Sequence, residues 1–524
     1  MQWKSFVHNG VAFPEEYKPK GLSIMIRGEL VPLSPPAEEM AVAISKKTGT
    51  KYLSDQTFTQ NFMSDFVKTL PERFHNAAFA DVDFNNIKKA LDSEKQDKAS
   101  IEKPEKRLMA KEKARVKEDL QKKYGVVLID GKEFKIANWM VEPPGLVFGR
   151  GLLPNRGRWK PRLTEQDVIL NISPDAPIPA GNWGGVVHET NEFWVAKWRD
   201  KISGKMKYVM LHESTPVQIK RNKKKYMKAD KLAANIEKVR AEIRAKMTAK
   251  DIKDRQLATI CYLIDIYGFR IGNEKGEDES QTIGASTLLV KNVKVAGTDV
   301  TFDFLGKDSV KFENTYQNVD PVLTANLVEF TKGKGPDDLV FDVCGSNVVN
   351  KFLGKITPGL TAKVFRTYKA TMTVKEYLDS HPPGKEVYEK KYIAKMANLE
   401  AAKALNHKRT LPGKWEEQLK AKEEALKKLQ ALGEKKAARI KKAELDLDLQ
   451  IKTRDYNLNT SMRNYINPVV YKKWCDKIGL DWAKLYSKTL QKKFAWVGAT
   501  FKNSHPGEGI VDSEPEDGGV QATG

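Results

Sequence analysis

The sequence predicts an α+β protein of several domains. Three observations lead there. The chain has 524 residues, which at roughly 150 per domain divides into three or four. Strand-like segments cluster between about 125 and 211, and a helix apolar around most of its circumference follows at 255–273. A strongly charged pair of helices is written into 412–455. No apolar run approaches the roughly 20 residues needed to cross a bilayer, so no membrane role is expected.

Taken in order, residues 1–105 mix short apolar runs, Pro-containing turns and the helix-like QNFMSDFVKTL (60–70). About 86–124 is rich in both charges and poor in apolar residues, which predicts one long exposed helical arm. GVVLIDG (125–131), DVILNI (167–172), FWVAKW (193–198) and MKYVML (206–211) read as strands, the last two joined by a turn at Ser203-Gly204. KRNKKKY (220–226) opens a helix and suits a nuclear-import patch, a DNA-facing patch or a solvated basic face. RQLATICYLIDIYGFRIGN (255–273) predicts a core helix ending at Gly272-Asn273, with Arg270 in its last turn. TLLVKNVKV (287–295), VTFDFLG (300–306) and SVKF (309–312) alternate with period two and predict a β-meander with Lys307 at a hairpin tip. In 412–455, Leu419, Leu426 and Leu429 form one stripe and Ile440, Leu447 and Ile451 another, with Gly433 between them; this predicts an antiparallel coiled coil. The tail from 498 to 524 is rich in Gly, Pro and acid and is expected to be disordered.

The charge balance, 90 Lys+Arg against 68 Asp+Glu for a net +22, points to a polyanion partner, nucleic acid first. Cys261, Cys344 and Cys475 stand alone, so neither a disulfide scaffold nor a zinc site is expected and a reducing compartment is. MQWKSFVHNG carries no export signal. No GxxxxGK[ST] occurs, which argues against a P-loop ATPase. Asp81-x-Asp83 and Asp446-x-Asp448 lack a third acidic neighbour, so Mg²⁺ binding is not expected of them.

Six strings then carry a resemblance: EPPGLVFGRG (142–151), FRIGNEK (269–275), FDFLGKDS (302–309), TAKVFRTY (361–368), Asn406-His407, and TSMRNYINP with Trp474-Cys475 downstream. In this order, over residues 1 to about 497, they resemble the eukaryotic type IB DNA topoisomerases. The long basic N-terminal extension of many relatives is missing from the sequence.

The resemblance implies a bilobed DNA clamp: a mixed α/β cap over 1–197, a mainly helical catalytic domain with its meander over 198–411, the coiled-coil linker at 412–455, and a small helical domain at 456–497. It implies relaxation of supercoiled duplex DNA through a transient 3′-phosphotyrosine nick, with neither ATP nor a required metal, by a nuclear monomer that binds largely without sequence preference. Tyr465 becomes the nucleophile, Arg270, Arg366 and His407 the phosphate clamp, and Lys307 the proton donor to the 5′ oxygen. Arg150, Asp308 and Asn464 fall where camptothecin-type inhibitors lodge, and Asn273, Lys275, Thr282 and Lys363 fall at or near phosphate-contacting positions. The chemistry asks for these residue types. Phosphoryl transfer spreads charge over non-bridging oxygens, and two guanidiniums with an imidazole can stabilise it where a metal would otherwise serve.

Two departures stand out. Met462 replaces the usual Lys of Ser-Lys-x-x-Tyr, and Val147-Phe148 precedes GRG where an aromatic-Arg pair is common. A tyrosine recombinase, with a similar Arg/Lys/His/Tyr set, and a catalytically inert DNA-binding subunit are the rival readings.

Overall fold

A computed structural model describes residues 2–149, 151, 153–272, 282–343, 345–433 and 436–502. The side chains of Asp308 and 499–502 are not described. The chain is mixed α/β with several small sheets, and it divides into two compact units on either side of residues 218 and 219.

In the first unit, β1 (Phe6–His8) is followed by β2 (Ser23–Ile26), β3 (Glu29–Pro32), α1 (Pro35–Ser45), α2 (Gln56–Phe66) and β4 (Val82–Asp83). Helix α1 starts on Pro35 and Pro36, at positions where a missing N–H costs nothing. Asp55 caps α2 by accepting from the Phe58 N–H. The i, i+4, i+8 face Phe58, Phe62 and Phe66 then packs with Met40 and Ile44 of α1 and Ile24 and Ile26 of β2. Each such side chain contributes roughly 1.5–3 kcal/mol on burial. Phe148 joins this cluster, its ring 5.0 Å from that of Tyr52 and 5.8 Å from that of Phe58.

The expected single arm is two helices, α3 (Asn85–Ser100) and α4 (Lys103–Tyr124). Pro104 has no N–H and would collide with the carbonyl four residues earlier in a continuous helix; the chain breaks at Ile101-Glu102 and restarts with the proline in the first turn. The remaining strands are β5 (Val126–Ile129), β6 (Lys132–Lys135), β7 (Gly145–Leu146), β8 (Trp159–Lys160), β9 (Val168–Asn171), β10 (Gly185–Val187), β11 (Trp194–Arg199) and β12 (Met206–Met210). They form the sheets β1-β5-β6, β3-β2-β4, β7-β8 and β10-β9-β11-β12, so all four strand expectations hold.

Helix α5 (Pro216–Met247) starts three residues before the division, and the second unit continues with α6 (Ile252–Ile266) and the meander β13 (Val293–Ala296), β14 (Asp299–Gly306) and β15 (Val310–Tyr316). Then come α7 (Pro321–Thr331), α8 (Ser346–Ile356), α9 (Ala362–Ser380), α10 (Val387–Ala404), α11 (Trp415–Gln430), α12 (Ala437–Lys452), α13 (Leu458–Asn464), α14 (Pro468–Lys477), α15 (Lys488–Lys493) and α16 (Ala495–Lys502).

Helix α6 ends earlier than its apolar pattern suggests. Gly268, at φ +68°, turns the chain out of the helix, and Arg270 lies in the loop beyond it rather than in a last turn. Helices α11 and α12 pack on each other around Gly433, but α12 also lies on α10: Tyr392 donates to Asp448, Lys452 Nζ lies 3.3 Å from the Tyr392 hydroxyl, and Lys441 pairs with Glu389 at 3.8 Å. The leucine stripes are only half-buried, and Ile451 is exposed. The last helix carries the chain past residue 498, where the tail was expected to begin; 503–524 lie outside the described residues. No described helix is long and apolar enough to cross a membrane.

Candidate active site

Arg366 sits in the second turn of α9 and is buried, at 5% exposure. The sequence leaves room for a surface helix residue; the fold does not. One guanidinium nitrogen donates to the Gly268 carbonyl just past α6, and Nη2 donates to the Leu405 carbonyl just past α10 at 3.1 Å. The arginine therefore ties three helices together at one point. Its Nε is buried with no hydrogen-bond partner among the described residues, and the guanidinium lies 5.3 Å from the ring centre of Tyr465. Burial, with the charge of Arg270, holds its pKa down at about 10, so it stays cationic at neutral pH.

His407 reaches the same point from α10. Asn406, at φ +50°, ends the helix, and the His407 N–H turns back to the Ala402 carbonyl at 2.8 Å. The His407 carbonyl accepts from the Asn457 N–H at 2.8 Å, which fastens it to the segment leading into α13. Its ring centre is 5.2 Å from that of Tyr465. Both ring nitrogens are buried without partners among the described residues. Burial, then the charges of Arg366 and Arg270, push its pKa down to about 3. The imidazole is neutral at physiological pH and offers one N–H donor.

Tyr465 ends α13, its N–H bonded to the Ser461 carbonyl at 2.9 Å. Ser461 is itself buried and donates to Asn398 Oδ1 of α10 at 2.5 Å. Burial alone raises the phenol's pKa, but Arg366, Arg270 and Lys363 more than offset that, and the net shift is downward. Met462 packs against the core beneath this turn.

Arg270 and Lys307 complete the cluster. With Gly268, Arg366 and Asn406 they line a cleft of about 30 Å³. Three backbone bonds of 2.7 Å fix the loop that bears Arg270: Ala285 N–H to the Arg270 carbonyl, Ser286 N–H to the Ile271 carbonyl, and Ile283 N–H to the Leu305 carbonyl of β14. A Cβ on Gly284 would stand 2.3 Å from the Gly272 nitrogen, so only glycine admits this approach. At the far end of β14, Gly306 pairs with Val310 and the exposed Lys307 begins the turn between them, as the meander pattern predicts.

The arrangement sets Arg366 and His407, whose buried nitrogens include some unpartnered among the described residues, beside one phenol whose pKa Arg366, Arg270 and Lys363 lower. It suits an anion next to Tyr465. The profile described as "Eukaryotic DNA topoisomerase I, catalytic core" matches residues 214–442, that of the "DNA binding fragment" matches 1–211, and that of the "C-terminal topoisomerase domain" matches 437–505. The human protein named DNA topoisomerase 1 is 32% identical over 546 residues, covering 95% of this chain and 71% of that one. The chain belongs to the eukaryotic DNA topoisomerase I family.

DNA topoisomerase 1 beta of Arabidopsis thaliana is 34% identical over 95% of the chain, and DNA topoisomerase 1 of Candidozyma auris is 36% identical over 85%. The chain spans 58% and 60% of the length of those two topoisomerases. Of the further topoisomerase positions, Lys363 is exposed in the first turn of α9, near enough to Tyr465 to lower its pKa. Thr282 is half-buried beside the Arg270 loop, and Asn464 is exposed, with its carbonyl accepting from Lys225 at 2.9 Å. Arg150, Asn273 and Lys275 lie outside the described residues, as does the side chain of Asp308. The acidic pairs are engaged elsewhere: Asp81 with Arg27 at 2.9 Å and Asp448 with Lys452 at 2.9 Å. Among the described residues no cluster of three or more His, Cys, Asp or Glu is placed to hold a metal ion.

Sequence reasoning missed the carbonyls of Gly268 and Leu405, which aim Arg366, and the Ser461–Asn398 bond, which supports the tyrosine. Gly268 carried a visible signal, a glycine after an apolar helix. A carbonyl acceptor has none, since every residue has one.

Proposed function

We propose that this protein relaxes supercoiled duplex DNA by transient single-strand cleavage, strand rotation and religation, with neither ATP nor a divalent metal required. The observation that carries the reading is the pairing of buried donors unpartnered among the described residues, Arg366 Nε and the His407 ring, with a Tyr465 phenol whose pKa Arg366, Arg270 and Lys363 hold down.

In the first step the Tyr465 phenol gives up its proton to water and its oxygen attacks a backbone phosphorus. The P–O bond to the 5′ side breaks, and a 3′-phosphotyrosine forms. Arg270, Arg366 and neutral His407 donate to the non-bridging oxygens as charge develops there. Lys307 gives a proton to the departing 5′ oxygen, an alkoxide that leaves poorly without one. The tyrosyl ester conserves the energy of the broken bond, so the 5′ hydroxyl can reverse the reaction unaided.

The rest follows from the same reading. Residues 1–197 and 198–411 form the two lobes of a clamp, 412–455 a coiled-coil linker, and 456–497 the domain that delivers Tyr465. The protein acts as a nuclear monomer. Arg150, Asn273, Lys275, Thr282, Lys363 and Asn464 contact DNA, and Arg150, Asp308 and Asn464 border a camptothecin-type inhibitor site, where Phe148 and Met462 alter the surroundings. With a net charge of +22, affinity is dominated by phosphate contacts.

Supercoiled plasmid incubated with the protein in EDTA, without ATP, tests this. Relaxation is expected, with a covalent adduct on the 3′ side of the nick; Tyr465→Phe should bind duplex DNA and do neither. Relaxation by Tyr465→Phe near the unmutated rate would remove Tyr465 from the role. Cleavage confined to one DNA sequence would favour a recombinase, and binding without cleavage an inert subunit.

A further inference from the structure

Helix α5 grips the chain on both flanks of Tyr465. On one side Lys225 Nζ donates to the Asn464 carbonyl at 2.9 Å. On the other, Asn467 Nδ2 donates to both carboxylate oxygens of Asp230 at 3.1 Å each. Lys225 and Asp230 are five positions apart, about 7.5 Å along a helix.

Asn467 is only 3% exposed, and each of its polar groups is occupied. Its N–H donates to Thr371 Oγ1 at 3.1 Å, its Oδ1 accepts from the Val469 N–H at 3.1 Å, and its carbonyl accepts from the Val470 N–H at 3.1 Å. Thr371 Oγ1 also lies 3.3 Å from the Tyr465 carbonyl and 2.7 Å from that of Thr367, which share its one proton. Capping α14 requires only the Oδ1 of residue 467, a task Asp performs as well as Asn. The bond to Asp230 requires an amide donor, which Asp cannot supply.

We propose that Asn467 is a positioning residue for the nucleophile: held by Asp230 and Thr371, it sets the backbone direction from which the Tyr465 side chain reaches Arg366 and His407. The inference rests on the reading of Tyr465 as the attacking group. Asn467 touches no reacting atom. It acts through a two-residue lever, and misplacing a reacting group by about 1 Å can cost roughly a hundredfold in rate.

A polarity swap separates this role from a simple helix cap. Single-turnover adduct formation on a duplex would be measured for the full chain alongside duplex affinity and thermal stability. Asn467→Asp keeps the cap but sets carboxylate against carboxylate, and should slow adduct formation about tenfold or more with DNA affinity unchanged. Asp230→Asn leaves two amides able to bond and should stay within about threefold of the unmutated rate. The double variant Asp230→Asn/Asn467→Asp restores a donor facing an acceptor and should recover to within about threefold.

An unchanged rate in Asn467→Asp would reduce Asn467 to a cap. A double variant as slow as Asn467→Asp would remove Asp230 from the arrangement. Should Asn467→Asp lose its fold, Asp230→Ser, altered on the solvent-open wall of a cavity of about 330 Å³, serves instead: slowing of about fivefold or more supports the proposal, and an unchanged rate overturns it. Failure of the unmutated protein to form any adduct would instead overturn the reading of Tyr465 itself.

Discussion

Arg366 binds two carbonyls rather than a carboxylate, which leaves its charge free to act on Tyr465. An ammonium cannot span both carbonyls and still face the phenol, so Arg366→Lys should lose about 10²- to 10³-fold in single-turnover cleavage, near the cost of removing a fixed donor. The same cation lowers the phenol's pKa from its usual value of 10. The rate of cleavage against pH should therefore level off below pH 10, and in Arg366→Ala the rising limb should move to higher pH, because the phenolate has lost its counter-charge. A limb that stays put would exclude this electrostatic role. Lys307 answers to a different test. Lys307→Ala should cut ordinary DNA about a hundredfold or more slowly. It should recover on a substrate with sulfur at the 5′ bridging position, since a thiolate leaves without a proton. Arg270→Ala and Arg366→Ala should show no such recovery, and equal defects of Lys307→Ala on both substrates would assign the proton elsewhere.

At the scale of elements, the end of α6 shows what a sequence can and cannot disclose. The apolar run from Leu257 to Phe269 marks a buried segment correctly, but Phe269 is 2% exposed in a loop, not a helix. Burial and helicity part company at Gly268, and an apolar pattern reports only the first. Pro104 is the opposite case: the break in the arm was written in the sequence as a residue that cannot sit mid-helix. The meander was legible because period-two alternation and turn residues agree there, which is why Lys307 was placed on a tip. The burial of Arg366 was not legible, because its partners are backbone atoms brought in from positions 98 and 39 residues away. Two glycines with similar backbones separate local strain from close approach. Gly268 has φ +68° and would set a Cβ 2.5 Å from the Ala404 carbonyl, while Gly433 has φ +74° and open space. Gly433→Ala should cost about 1–2 kcal/mol of local strain and leave cleavage unaffected. Gly268→Ala adds a collision and moves an Arg366 acceptor, so both its melting temperature and its cleavage rate should fall further. Equal cleavage by the two variants would show that the Gly268 carbonyl does not aim the arginine.

For the whole molecule, the two units share a sensitivity to acid. His8 is buried between the Gly10 N–H and the Asn171 carbonyl, at 3.0 Å from each, and burial pushes its pKa down to about 4. His407 lies lower still, at about 3. Both values are below the 6.5 of an exposed histidine, so the unfolded chain binds more protons than the folded one as pH drops through 6.5. Stability should fall with acidification, by up to about 1.4 kcal/mol per pH unit for each residue. Urea unfolding between pH 7.5 and 5 would show the slope, and replacing both histidines with glutamine should flatten it. A second relation is mechanical. Helix α12 bears on the first turns of α10 through Tyr392, Asp448 and Lys452, and α10 ends three residues before His407. The α11–α12 hairpin is thus a handle on a shaft whose tip stands beside the phenol. A sideways load on that handle arrives as torque on the imidazole.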